Sequence, residues 1–164
     1  MMSSPSSRAW PALGGLLCWV AVGLALLAQH RFDMQPCPWC ILQRLLFLGL
    51  GAWLLLAAVL PRGLLQRGWA ALAVVPAGAG MASALWQHFV ASKSASCALT
   101  LADRVLMATG LDTRFPEVFE VRANCADAAV SILGIPFDVW SLALFGAMAV
   151  LAIVHVSSRR DARH

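Results

Sequence analysis

Apolar residues along this chain fall into four runs too long for the one-sided stripe of a water-soluble helix. Residues 11–29, 41–60, 69–89 and 139–156 are each apolar throughout or nearly so. Twenty residues of helix rise about 30 Å, the thickness of a bilayer's hydrocarbon core, so each run predicts a transmembrane helix. Pro61-Arg62-Gly63 ends the second run, and inside the third Pro76 predicts a kink while Gly78 and Gly80 suit close helix packing. Polar residues gather in two further loops, a short one over 30–40 and a long one over 90–138. In the long loop, Leu101–Ala108 predicts a short helix with Leu101, Val105 and Leu106 on one side. Phe115-Pro116-Glu117-Val118-Phe119 is too apolar for a free loop and predicts a segment lying on the membrane surface. Asp138 is placed to N-cap the fourth span. The fold class that follows is all-α: a membrane four-helix bundle, one domain over residues 1–164, whose long loop carries a short surface helix.

Composition strengthens this reading. Hydrophobic residues make up 60% of the chain and charged residues 12%, against roughly a quarter charged in soluble domains. The chain is committed to the lipid bilayer. A net charge of +4 comes without a basic cluster dense enough to track phosphates, so nucleic acid is excluded as a partner. The charge reads instead as topology. Arg8, Arg62, Arg67, Arg159, Arg160 and Arg163 all fall on the side that holds both termini, which by the positive-inside rule is the cytoplasm. Both loops then face outward, away from the cytoplasm. The basic start and first apolar run also resemble a signal peptide, but Leu26 before Ala28 makes a poor small-residue cleavage site.

Chemistry enters with Pro36-Cys37-Pro38-Trp39-Cys40-Ile41-Leu42-Gln43-Arg44. A helix starting at Pro38 uses proline where its fixed φ and missing N–H cost nothing. Cys37 then sits at the helix N-terminus, where orphan N–H groups favour negative charge and lower a thiol pKa. Cys40 and Arg44 share a face one turn apart. An arginine in a span costs about 3 kcal/mol at the centre and less near an end. It either snorkels to the surface or serves an electron acceptor beside Cys40. Cys18 lies mid-span as a small apolar residue. The other cysteines, Cys37, Cys40, Cys97 and Cys125, all fall in the outward loops, where an oxidising compartment lets disulfides persist. Four cysteines allow three connectivities. A second disulfide closing Cys97 on Cys125 is either a loop tie or an exchange partner for the CxxC. A metal site from Cys37, Cys40, His30 and His88 leaves Cys97 and Cys125 unexplained. A dithiol becoming a disulfide releases two electrons, and no haem, flavin or iron–sulfur motif is present to take them. A lipid-soluble quinone takes two electrons at this depth.

These features together resemble the DsbB family of bacterial inner-membrane disulfide-forming enzymes. The resemblance rests on the four spans, Cys37-Pro38-Trp39-Cys40 with Arg44 opening span two, Cys97 and Cys125 in the long loop, and Leu133-Gly134-Ile135-Pro136 leading to Trp140. It implies a quinone-dependent protein disulfide oxidase that reoxidises a periplasmic DsbA-type thiol oxidase and reduces ubiquinone or menaquinone. It also implies roles: Cys97 and Cys125 exchange with DsbA, Cys37 and Cys40 pass electrons to quinone, and Arg44 assists there. In the order implied, DsbA attacks Cys97, Cys125 attacks Cys37, and Cys40 leaves. Some members carry an acid just before the arginine, where this chain has Gln43, so no role for a carboxylate carries over. Two alternatives remain: a four-span reductase of the vitamin K epoxide reductase type, and a non-enzymatic scaffold braced by Cys97–Cys125.

Overall fold

The computed structural model describes residues 6–61, 63–93 and 99–157. Cys97 and the arginines Arg62, Arg159, Arg160 and Arg163 lie outside the described residues. Four helical segments are long and apolar enough to cross a membrane. They comprise α1 (Ser6–Phe32), α2 (Pro38–Val59), the pair α3 (Leu64–Leu72) and α4 (Val74–Phe89), and α8 (Phe137–Ser157). The protein is an all-α membrane bundle. Between the third and fourth spans come α5 (Leu101–Thr109), α6 (Leu111–Arg114) and α7 (Pro116–Phe119), then a hairpin of β1 (Ser131–Ile132) and β2 (Ile135–Pro136).

Local chemistry sets the ends of these elements. α2 stops at Val59 because Pro61 forces Leu60 into extended backbone, ψ 152°. The third span is broken at Ala73, three residues before Pro76. A proline ring clashes with the carbonyl four residues earlier and cannot donate to it, so the disruption falls at Leu72, upstream of the proline. Helical bonding resumes with Ala77 N–H on the Ala73 carbonyl at 3.2 Å. α5 is closed at its start by a Thr100/Asp103 capping box and at its end by Gly110 in the left-handed region, φ 61°. Its inward residues are Ala102 and Leu106, while Leu101 is exposed, so the apolar side expected from Leu101, Val105 and Leu106 is rotated by about a residue. Asp138 does not cap the fourth span. It lies inside the first turn of α8, and its carboxylate pairs with His88 Nδ1 at 2.8 Å.

α1 packs on α2 and α4 on α8, while α2 also meets α4 and carries α5 over its N-terminal end. Cys18, Val22, Phe47, Leu50, Leu54, Ala77, Phe145 and Met148 form the central core. Phe47 and Phe145 stack there at 3.7 Å, nearly parallel. Gly80 makes this possible, because a side chain at that position would run into the Phe145 ring, whereas Gly78 faces open space. Only one of the two glycines in span three therefore serves packing. Cys18 is fully buried within the core. Trp53 stacks on Trp69 at 4.3 Å and donates to the Trp69 carbonyl at 2.9 Å, closing the other end of the bundle.

Candidate functional site

The site is assembled at the N-terminal end of α2. Cys37 is the N-cap of that helix and Pro38 its first residue, and the Cys37 sulfur accepts the Cys40 N–H at 3.3 Å. One turn of helix thereby brings the two sulfurs to 2.8 Å. Cys37 is fully buried, so it is shielded from water on the loop side. Cys40 faces the other way and lines a cavity.

Cys125 is delivered to Cys37 by the long loop. Arg122 N–H and Ala123 N–H both donate to the Pro36 carbonyl, at 3.0 and 3.2 Å. Those bonds dock the loop on the residue just before the CxxC. An Asn124–Asp127 turn then folds the chain back, with Asp127 N–H on Asn124 Oδ1 at 2.9 Å. Cys125 ends up buried in a cluster with Cys37, Trp39, Ala91, Ala102 and Ala128. Its thiol is held below the ordinary cysteine range, chiefly because Cys37 donates to it, with the Trp39 N–H adding to this and burial opposing it. Cys37 is pushed the other way, by its hydrogen bonds to Cys125 and Cys40 and by burial. The expectation that the helix N-terminus makes Cys37 the acidic thiol is corrected here. A sulfur that donates to two neighbouring sulfurs holds its proton more tightly, and the same bond favours the charged form of Cys125.

Arg44 stays within the bundle. It is 6% exposed, and its Nη1 donates to Gln29 Oε1 at 2.7 Å and to the Val118 carbonyl at 3.0 Å. The Val118 bond ties α7 to α2, and Phe119 turns inward against Ile41 and Leu106. Phe115, Pro116 and Glu117 of that segment remain exposed, while Val118 is half-buried and Phe119 buried. Gln43, next to Arg44, donates to Gln87 Oε1 at 2.7 Å, and Gln87 Nε2 reaches the Cys40 sulfur at 3.2 Å.

A cavity of about 360 Å³ opens between α1, α2, α8 and the hairpin. Its walls are apolar, including Val22, Ala25, Phe47, Trp140 and Leu144, and Cys40, Gln43 and Arg44 form its polar edge. The hairpin closes one side with Ile132 and Leu133. Leu133 and Gly134 both have positive φ, 56° and 79°, as a two-residue type I′ turn requires. The volume lies in the range of small-ligand sites. The lining is apolar except at this edge, where a guanidinium and a sulfur stand, a donor set that suits a flat apolar ring bearing carbonyl oxygens.

Of the residues singled out from the sequence, Cys37, Cys40, Cys125 and Arg44 meet in this one place. His88 is paired with Asp138, and His30 lies 3.9 Å from Glu117. Gln29, Gln87 and the Val118 carbonyl were not anticipated. Their signal was present, since a glutamine inside an apolar span is rare and faces the bundle when it occurs.

Comparison with known proteins shows the family. The family model for disulfide bond formation protein DsbB matches residues 7–155. Disulfide bond formation protein B of Ralstonia nicotianae is 32% identical, covering 96% of this chain and 98% of the relative. The protein of the same name from Cupriavidus necator is 31% identical, with 96% and 98% covered. Disulfide bond formation protein B 2 of Pseudomonas aeruginosa is 34% identical, with 93% and 92% covered. The chain belongs to the DsbB family, and it is a multi-pass inner-membrane protein-disulfide oxidoreductase of the kind that works with DsbA and is generally linked to quinone.

Proposed function

We propose that this protein reoxidises a periplasmic DsbA-type thiol oxidase through Cys97 and Cys125, and passes the two electrons through Cys37 and Cys40 to ubiquinone or menaquinone in the cavity beside Arg44. The observation that carries the reading is the placement of the dithiol between two environments. Cys37 touches Cys125 on the loop side, and Cys40 opens on the apolar cavity. Exchange requires a thiolate in line with a disulfide sulfur, and the loop docked on Pro36 holds Cys125 against Cys37 for that purpose. Attack by Cys125 forms a Cys125–Cys37 bond and breaks Cys37–Cys40, leaving the electron pair on Cys40. The second thiol of the partner then attacks the mixed disulfide, which leaves the partner oxidised and releases Cys97 as a thiolate; Cys97 displaces Cys37 from Cys125 and restores the loop disulfide, so that Cys37 and Cys40 hold both electrons. A quinone bound in the cavity supplies the two-electron acceptor. Arg44 donates along the cavity edge toward a carbonyl oxygen, and Gln29 fixes its direction.

Arg44→Ala or Arg44→His therefore weakens use of quinone more than use of DsbA. A hydrogen bond from a charged donor is worth about 1.5–3 kcal/mol, roughly ten- to a hundredfold in binding. In steady-state assays of the purified enzyme the apparent quinone KM rises by about that factor, while the KM for the reduced DsbA-type partner is unchanged. Unaltered quinone kinetics would sink the assignment of Arg44.

The same reading places both termini in the cytoplasm and both redox loops in the periplasm, supported by Arg8 and Arg67 among the six arginines named above. Reporter fusions after Arg67 and at His164 read cytoplasmic, and a fusion near Gly110 reads periplasmic. A cytoplasmic signal at Gly110 removes the oxidising compartment and the mechanism with it.

A further inference from the structure

Two buried glutamines stand beside the site with no part in the scheme above. Gln43 on α2 is 4% exposed and Gln87 on α4 is 6% exposed. Both lie in spans, where a polar group is costly unless it is paired. The pair is ordered in one direction. Gln43 Nε2 donates to Gln87 Oε1 at 2.7 Å, which engages the carbonyl end of the Gln87 amide. The NH₂ end is thereby turned to the Cys40 sulfur, 3.2 Å away. A carbonyl facing that sulfur would repel negative charge; an N–H receives it.

We propose that Gln87 is the hydrogen-bond donor that holds the Cys40 sulfur as it leaves the Cys37–Cys40 disulfide, and that Gln43 is the positioning residue that keeps the Gln87 amide turned the right way. The inference deepens the proposed disulfide oxidase reading and rests on it. When Cys125 bonds to Cys37, the Cys37–Cys40 bond breaks and its electron pair goes to Cys40, with no proton needed at that instant. Arg44 lies one turn deeper, engaged by Gln29 and Val118, while Gln87 contacts the sulfur itself. A neutral amide suits this place. It donates to the charged sulfur without adding a second fixed charge to a buried site that already holds a guanidinium.

A donor that favours the charged sulfur favours the reduced pair, so its removal makes the pair harder to reduce. The experiment measures the reduction potential of Cys37–Cys40 in full-length protein carrying Cys97→Ser and Cys125→Ser, so that a single pair titrates against a thiol–disulfide buffer. This readout needs no quinone. Gln87→Met, which fills similar space without the donor, shifts the equilibrium about tenfold, or about 30 mV toward more negative potential. Gln87→Asn keeps an amide but falls one methylene short of the sulfur, and gives the same shift if Gln87→Met does not fold. Gln43→Met leaves Gln87 in place but frees its amide to rotate, and shifts the potential in the same direction by less. An unchanged potential in folded Gln87→Met and Gln87→Asn overturns the assignment of Gln87. A shift in the Gln87 variants with none in Gln43→Met overturns the positioning role of Gln43. Failure of the unmodified enzyme to couple DsbA oxidation to quinone reduction is a separate result, which removes the parent reading and the inference with it.

Discussion

Cys40→Ala is expected to keep single-turnover exchange with a DsbA-type partner and to lose quinone reduction by at least about a thousandfold, as removal of a reacting group does. The two sulfurs of the dithiol are only 2.8 Å apart, yet they serve different neighbours. Cys37 is fully buried against Cys125, Trp39 and Ala102, and does not line the cavity. Cys40 does line it, with Gln43 and Arg44 alongside. On the proposed route, electrons that reach Cys37 from the loop leave through Cys40. The loop disulfide does not depend on Cys40 for its first reaction, so the partner is still oxidised once. The check is a pair of assays on one preparation: a stopped exchange with stoichiometric reduced partner, and continuous quinone reduction. Sustained quinone reduction by Cys40→Ala would mean that Cys37 reaches the acceptor directly, and that the cavity beside Cys40 is not the acceptor site.

The spans were legible in the sequence because apolar runs near twenty residues have only one low-energy solution, a helix across the bilayer. The start of α2 was legible for an equally local reason, since Pro38 is tolerated only in the first turn. The i, i+4 spacing of Cys40 and Arg44 came with that helix. What could not be read is which helix meets which. Gln87 reaches Cys40 across α2 and α4, and Gln29 reaches Arg44 across α1 and α2. Neither pairing is encoded by periodicity, because glutamines on inward faces look alike from sequence alone. The docking of Cys125 depends on two backbone N–H groups and one carbonyl, contributed by Arg122, Ala123 and Pro36, and backbone groups carry no sequence signature. Local rules misplaced charge in the same way. A helix N-terminus does favour a thiolate, but the Trp39 N–H supports Cys125, a residue remote in sequence, while Cys37 donates to its neighbours.

Cys125→Ala is expected to arrest the enzyme with the DsbA-type partner covalently attached to Cys97. On the proposed topology the long loop is the polar, outward part of the chain, so a soluble partner meets the proposed Cys97–Cys125 disulfide before the buried Cys37. Attack on Cys97 makes a mixed disulfide and frees Cys125. Among the described cysteines, Cys125 is the loop sulfur placed on Cys37, and its thiol is lowered by the Cys37 hydrogen bond and the Trp39 N–H. The Cys37 contribution belongs to the reduced pair. The Trp39 N–H remains when Cys37 is bonded to Cys40, so Cys125 keeps a backbone donor at the moment it attacks. A DsbA-type oxidase is itself strongly oxidising, near about −120 mV, and each 30 mV of two-electron gap is about 1.4 kcal/mol. The first exchange therefore needs a stronger acceptor downstream to draw it forward. Without Cys125 the dithiol of α2 is disconnected from the loop, and turnover falls to background while the adduct persists. The adduct is read on non-reducing gels after acid quenching, and its site by mass spectrometry of alkylated peptides. Adducts on Cys37, together with full activity of Cys97→Ala, would reverse the proposed order of exchange and leave the loop pair as a structural tie.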